Sequence, residues 1–427
     1  MKNKASALVI GDLSLVRALG MMGIPVALAT TEPRSSTTLS RYCSEVVPTP
    51  SAVSDPHELV STVIEWARLQ PVPPVIFCQG DHDLLAFSRE RRRVAPYARV
   101  PLPDAELVED LVDKVRFAAL ARRHSLPVPV TTTLARDSFG SRELAARPEG
   151  KELREWSLFP CVVKPSMRTN WLGSALQVEG VGSRQKAMRV ETRAELDRVA
   201  PLMAAHETDV ILQAAIEGGE ERVVSYHAYV REGGEVVAEF TGKKVRTSPQ
   251  RYGFSTCVEI TDDADVKRLG RSICETLGFS GVLKIDFKRD ERDERLYLME
   301  INPRFNLWHH PGTIAGISIP ALVYADCTNP GSARATHKVK PGVRWMSGRG
   351  DLLAMREYRA NGDLSMAGWL RDVATVDVNE DFLLRDPLPA LADLALGAER
   401  RVRRLIGRVT PKAAVASPTT RSNNKAG

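Results

Sequence analysis

Residues 281–304 read GVLKIDFKRDERDERLYLMEINPR. Two apolar runs flank the charged stretch 289–295, a pattern that predicts a β-hairpin. Side chains alternate between faces along a strand, so Glu300 and Asn302 share one face of the second strand while Asp286 lies on the first. Arg304 follows at the same spacing. Two carboxylates and an amide, with no Cys or patterned His, favour magnesium or manganese over zinc. The competing reading is a salt-bridged hairpin in which Asn302 caps a turn before Pro303.

Outward from this hairpin the composition is that of an ordinary soluble globular chain, 43% hydrophobic and 26% charged,. A length of 427 residues suggests several domains,. No apolar run approaches the roughly 20 residues needed to cross a bilayer, so no membrane span is expected. The six cysteines are scattered without a CxxC pair, which predicts reduced thiols in a cytoplasmic protein rather than a zinc or disulfide framework. The net charge of +6 is local: residues 399–427 hold six Arg and two Lys against one Glu. The remainder is therefore near neutral, and no aromatic-basic stripe suggests nucleic acid. The tail reads as a solvated helix end followed by a disordered, basic terminus, with contact to a membrane or polyanion as the alternative.

The first hundred residues alternate strand and helix. ALVIGD, IPVALAT and PVIFCQGD are strands, SLVRALGMMG and SDPHELVSTVIEWARLQ helices, with Ser54 or Asp55 capping the second. This order predicts a parallel sheet with right-handed crossovers. Gly11, Asp12, Gln79, Gly80, Asp81 and Asp83 fall at the carboxyl ends of its strands, where ligands meet such sheets. No GxGxxG is present, so a dinucleotide site is not expected. A helix carrying Lys114 leads onward; FPCVVKPS and DVILQAAI are strands, and residues 221–260 form consecutive strands turning at Gly233-Gly234. GVRWMS and ATVDVNED read as edge strands and PLPALADLALGAERRVRRL as a final helix.

Several cations accompany the hairpin. Lys164 ends an apolar run, where an ammonium needs an anionic partner such as phosphate. Lys114, Lys243, Lys244 and Arg246 also lie near strand ends or loops. ILQAAIEGGEE breaks at Gly218-Gly219 and then offers Glu220 and Glu221, so its backbone suits a base edge and its carboxylates a ribose.

In this order, the Lys114 helix, FPCVVKPS, ILQAAIEGG, GKKVR, IDFK and MEINPR resemble the ATP-grasp superfamily over about residues 105–330, and within it the carboxylate–amine ligases related to biotin carboxylase and D-aspartate ligase. The resemblance implies an α/β (α+β) architecture: a parallel-sheet pre-ATP-grasp domain over 1–110 and a two-lobed ATP-grasp domain over 111–330, with a lid at about 158–212. A C-terminal extension (331–405) and the basic tail (406–427) follow. It further implies that Lys114 and Lys164 touch ATP phosphates. Gln213, Ala214, Ala215 and Ile216 would form the adenine hinge, and Glu220 or Glu221 would meet the ribose. Asp286, Glu300 and Asn302 would hold Mg2+ (or Mn2+). Arg304, Lys244 and Arg246 would steady the transferring phosphoryl group and the acceptor carboxylate. The implied reaction activates a carboxylate as an acyl phosphate and joins it to an amine, releasing ADP and phosphate. Dimers are common in this group.

Two features depart from the family pattern. KPSMRTNWLGSAL has only Gly173 in reach, which shifts lid contacts to Ser166, Arg168, Thr169 or Asn170, and Ala214 stands where an acid usually follows the hinge Gln. A bicarbonate-using carboxylase and a non-catalytic nucleotide scaffold are the alternatives; the chain has no biotin-carrier MKM motif. His309 and His310 are read either as an acid-base group or as packed side chains. Arg17 and Arg41 are candidate carboxylate binders, and Asp81 or Asp83 candidate amine binders, by strand-end position alone.

Overall fold

The computed structural model describes residues 4–134, 151–167, 186–204 and 209–395. The N-terminal sheet contains β1 (Ala7–Ile10), β2 (Val26–Thr30), β3 (Cys43–Pro48) and β4 (Val75–Cys78), all parallel in the order β3-β2-β1-β4. Every residue of β1 and β4 is buried, as an apolar run in a sheet covered on both faces must be,. Asp55 supplies the expected cap, accepting from the Glu58 amide at the start of helix Pro56–Arg68,. The sequence reading missed β3. CSEVVP buries only Val47 and lies at the sheet edge, so pairing with β2 rather than an apolar pattern defines it.

A small antiparallel sheet holds β5 (Thr131–Leu134), β6 (Cys161–Pro165), β7 (Met188–Val190) and β8 (Val210–Ala214) in the order β5-β8-β6-β7. Its core gathers Leu153, Leu196 and Met203 from flanking helices and Trp156 from the turn after the first of them. The large sheet contains β9 (Val223–Val230), β10 (Val236–Ser248), β11 (Phe254–Thr261), β12 (Gly281–Arg289), β13 (Leu296–Asn302), β14 (Arg344–Met346) and β15 (Val378–Asn379), ordered β13-β12-β9-β10-β11-β14-β15. Gly233 and Gly234 turn β9 into β10 at φ +94° and +88°, a region that glycine enters without steric penalty,. The expected hairpin of β12 and β13 is present; of the two expected edge strands β15 does close the sheet, whereas β14 lies inside it, paired with β11 on one side and β15 on the other.

One face of the large sheet carries Tyr226, Leu283, Ile285, Phe287 and Leu298 into a core shared with helices Ala105–Val112, Lys114–Arg123 and Ala264–Thr276. The opposite face joins Tyr229, Phe240, Val258 and Val282 to Val9, Leu15, Val26 and Phe77 of the N-terminal segment in one core. Helices Gly348–Ala360 and Met366–Thr375 were not anticipated. Ser347 and Ser365 cap them, and the second buries none of its residues. All six cysteines are free. Among the described residues no helix is long and apolar enough to cross a membrane. Residues 136–150, Arg168, Thr169, Asn170 and Gly173, the end of the final helix and the basic tail lie outside the described residues.

Candidate active site

The β12–β13 register sets Asp286 opposite Glu300 and Lys284 opposite Asn302. Oδ2 of the buried Asp286 accepts from Lys284 Nζ at 2.7 Å, while its Oδ1 is buried with no hydrogen-bond partner. Leaving such an oxygen unsatisfied costs about 1–3 kcal/mol or more for a charged group, so the position suits a cation. Glu300 is exposed on the cleft and its Oε1 accepts from Asn302 Nδ2 at 3.1 Å. Asn302 Oδ1 in turn accepts from Arg304 at 3.2 Å. Enclosure by the protein opposes ionisation of Glu300, but the ammonium groups of Lys186, Lys284 and Lys114 hold its carboxyl well below the usual range. Among the described residues no three His, Cys, Asp or Glu side chains converge on a metal position. Two carboxylates with Asn302 beside them fit magnesium, which characteristically completes its shell with water and phosphate oxygens.

The cations come from other elements. Asp113 ends the preceding helix and caps the next by accepting from the Val115 and Arg116 amides, so Lys114 is the first residue of its own helix rather than an interior one. The Lys114 amide and Nζ both reach the Ser166 carbonyl, at 3.0 and 3.4 Å. Lys164 lies on β6 and donates to Gln213 Oε1 at 2.8 Å; Gln213 Nε2 donates to Thr131 Oγ1 at 2.9 Å. Burial lowers the Lys164 ammonium to about 8; Glu300 opposes this shift, and neighbouring Lys114 and Lys244 add to it. Lys114, Lys164, Gln213, Asp81, Glu300 and Asn302 line one cavity with the apolar side chains of Leu111, Phe117, Val128 and Ile211. A slot with an apolar body and a few convergent polar groups is the usual form of a small-molecule site.

At the expected hinge, Gln213 turns its side chain into this cavity, but the amides of Ala214 and Ala215 are committed to the carbonyls of Val130 and Pro160 at 2.8 and 3.0 Å. Those two amides are not available to a base; Ile216 follows them and is buried. Glu220 and Glu221 begin a single 3₁₀ turn. Glu220 accepts from the Tyr252 amide at 3.3 Å and helps raise the Lys244 ammonium, whereas Glu221 is exposed.

The structure separates Lys244 from Arg246. Strand alternation would put both on one face, but β10 carries a bulge: Lys244 pairs with Val258 and Arg246 with Cys257,. Lys244 keeps the face of Asp286 and Glu300; burial opposes its charge, and those carboxylates together with Glu220 raise it. Arg246 turns to the other face and is buried against Asp351 at 2.9 Å and Asp372 at 2.5 Å. Asp351 also accepts from Thr256 Oγ1 and Trp369 Nε1, each at 2.9 Å. The expectation of a substrate-facing Arg246 is thus corrected to a buried ion pair with the C-terminal helices.

Arg304 forms an ion pair with Asp81 at the carboxyl end of the N-terminal sheet and remains beside Asn302. Asp81 is therefore already matched with a cation and is not a free amine binder. Arg17, expected as a carboxylate binder, is fully buried and paired with Asp386 at 2.9 Å, and the Arg41 amide donates to the same carboxylate. Trp308 lies over Gly242, where a Cβ would come within 2.2 Å of the indole, and Lys284 Nζ sits 5.8 Å from the ring centre. His309 and His310 are wholly buried; burial lowers His309 to about 3, and His310 Nδ1 meets Glu380 at 2.9 Å. Sequence reasoning missed Lys284, although its place two residues before Asp286 put it on the same face. It also missed Asp351, which no local motif marks.

No family model matches the chain. D-aspartate ligase from Enterococcus faecium (strain Aus0004) is 26% identical over 251 residues, 58% of this chain and 57% of that protein. The chain thus spans little more than half the length of this curated relative. Among solved structures, N5-carboxyaminoimidazole synthetase from Staphylococcus aureus complexed with ADP superposes with a TM-score of 0.59 at 13% identity, covering 85% of this chain and 87% of that one. L-amino acid ligase from Bacillus licheniformis gives 0.55 at 15% identity, covering 78% of each. The biotin carboxylase domain of the Hydrogenobacter thermophilus 2-oxoglutarate carboxylase gives 0.57 at 15%, covering 81% and 74%. The chain has the ATP-grasp fold, and the resemblance drawn from its motifs is borne out at that level.

Proposed function

We propose that this protein is an ATP- and magnesium-dependent ligase joining a carboxylate to an amine. One observation carries the reading: Asp286, with an unpartnered buried oxygen, faces Glu300 in a cleft that Lys114, Lys164 and Lys244 enter from three separate elements. Two anions, nucleotide and acid, must be brought together there, which calls for fixed cations rather than a protein nucleophile. The adenine would occupy the apolar slot beside Gln213, with Ile216 at its edge and Glu220 nearest the ribose. Lys114 and Lys164 would hold phosphate oxygens, and Lys244 and Arg304 would balance charge on the transferring group. Asp286, Glu300 and Asn302 would hold the magnesium, which when bound neutralises phosphate charge and polarises the γ-phosphoryl group.

A substrate carboxylate oxygen attacks the γ-phosphorus as its bond to ADP breaks, giving an acyl phosphate. The amine nitrogen then attacks the acyl carbon, phosphate departs, and the nitrogen releases a proton. The segment 158–212 would exclude water as a lid. Arg246 would act at a distance, by fixing β10 beneath Lys244.

The test is ADP and phosphate release from magnesium ATP with pools of carboxylates and amines, products being identified by mass. D-aspartate is the first acid to try, given the curated relative. Release that requires one acid–amine pair supports the ligase. Bicarbonate-dependent release without an amine would assign a carboxylase, and nucleotide binding without release under any pair a scaffold.

A further inference from the structure

We propose that Lys288 and Glu220 hold the two ribose hydroxyls of the bound nucleotide, so that the cleft takes a ribonucleotide in preference to a deoxyribonucleotide. The inference rests on the nucleotide site proposed for the cleft and adds to it a residue and a selectivity. The pairing of β12 with β9 runs without a break from Gly281 to Lys288, so Lys284, Asp286 and Lys288 share one face of β12,. Lys284 stands opposite Asn302, toward Arg304 and the N-terminal sheet. Lys288 stands opposite Tyr297, and its Nζ donates to the Gly218 carbonyl at 2.6 Å, where the chain leaves the hinge. Gly218 has φ +105°, a conformation that side-chain-bearing residues rarely adopt,. Asp286 and Lys288 are two residues apart, about 7 Å along the strand. That span carries a nucleotide from its metal-held phosphates to its sugar.

The two side chains are complementary to a vicinal diol. Among the described residues, Lys288 spends one of its three ammonium donors, on Gly218,. Burial lowers this ammonium, and Glu220 is the carboxylate that opposes the shift most. Of the other two nearby acids, Glu217 is paired with Arg189 at 3.3 Å and Glu221 is exposed. Glu220 is half-buried and, among the described residues, accepts one hydrogen bond, from the Tyr252 amide at 3.3 Å. Its carboxylate therefore has an oxygen left for a ligand. A hydroxyl both donates and accepts, so a pair of them is satisfied by a donor-only group beside an acceptor-only one. A phosphate only accepts, and beside Glu220 it would face like charge.

Dissociation constants for ATP, 2′-deoxy-ATP and 3′-deoxy-ATP are measured by calorimetry on the full chain in the presence of magnesium. Each deoxynucleotide is expected to bind about tenfold more weakly than ATP, the loss usual when a charged group forfeits a hydrogen bond. K288M and E220A are each expected to weaken ATP by a similar factor and to bring the three nucleotides toward equal affinity. Equal binding of all three by the unaltered chain overturns the proposal while leaving the ligase reading intact. So does a K288M protein that binds all three more weakly yet keeps the preference, since Lys288 then serves only to hold the Gly218 loop. A chain that binds none of the three removes the nucleotide site itself, and this inference with it.

Discussion

Lys164 sits at the end of a buried run with Lys114 and Lys244 nearby, and its ammonium is pushed down to about 8 from the ordinary 10.5. Between those values the unfolded chain binds the proton more tightly than the folded one. Stability linked to this group therefore rises as the pH rises from about 8 to 10.5,. Nucleotide affinity should do the opposite and fall as the pH climbs through about 8, because the phosphate partner requires the charge. Calorimetry in two buffers of different ionisation enthalpy should record proton uptake on ATP binding in that window; no uptake would remove Lys164 from the phosphate site. Glu300→Gln is expected to lower ADP release at least about 100-fold while leaving the far-ultraviolet circular dichroism unchanged. Near-normal turnover in this variant would argue against the metal assignment. At this scale the sequence was informative for Asp286, Glu300, Asn302 and Lys164. Residue type and alternation alone distinguish an oxygen-rich strand face from an apolar one.

Elements are where sequence reasoning lost its way. The single extra residue in β10 reverses the side-chain alternation, so Arg246 shares a face with Lys243, whose partner Glu259 pairs with Arg344, which in turn pairs with Asp372. Nothing local in GKKVRTS announces that bulge. Its position is tied to Asp351, 105 residues away, which satisfies the buried guanidinium. Truncation by Asp351→Ala leaves that charge without its main partner and should destabilise the protein by about 3–5 kcal/mol. Urea denaturation measures this, and a loss below about 1 kcal/mol would mean that Asp372 alone suffices. The edge strand β3 and the two C-terminal helices were missed for a related reason. β3 buries only Val47 and Met366–Thr375 nothing, while Gly348–Ala360 is fixed by its Ser347 cap and by Asp351 reaching Arg246; pairing, caps and neighbours place all three.

At the scale of the whole molecule, the N-terminal and large sheets share one apolar core, and ion pairs at Asp81–Arg304 and Arg17–Asp386 connect segments far apart in sequence. His309 is wholly buried, and burial holds it at about 3, well below the ordinary 6.5. The unfolded chain takes up a proton there first, so stability falls as the pH drops from 6.5 toward 3,. The slope from this residue approaches about 1.4 kcal/mol per pH unit. Urea midpoints measured at neutral and mildly acidic pH should converge in His309→Phe; an unchanged acid slope would place the effect elsewhere. The long-range pairs that join the sheets were not legible in the sequence, because each partner taken alone reads as a surface charge.

The contact between Lys284 and Asp286 has a further consequence. Its ammonium already holds one oxygen of the carboxylate proposed to receive magnesium. A divalent ion arriving alone would have to share that carboxylate with a resident cation, whereas one arriving with ATP brings phosphate oxygens to which the displaced ammonium can turn. Metal and nucleotide should therefore bind with positive cooperativity, each raising the other's affinity by the same factor. Titration of magnesium into the protein with and without a non-hydrolysable ATP analogue measures that factor, and Lys284→Met should bring it toward unity.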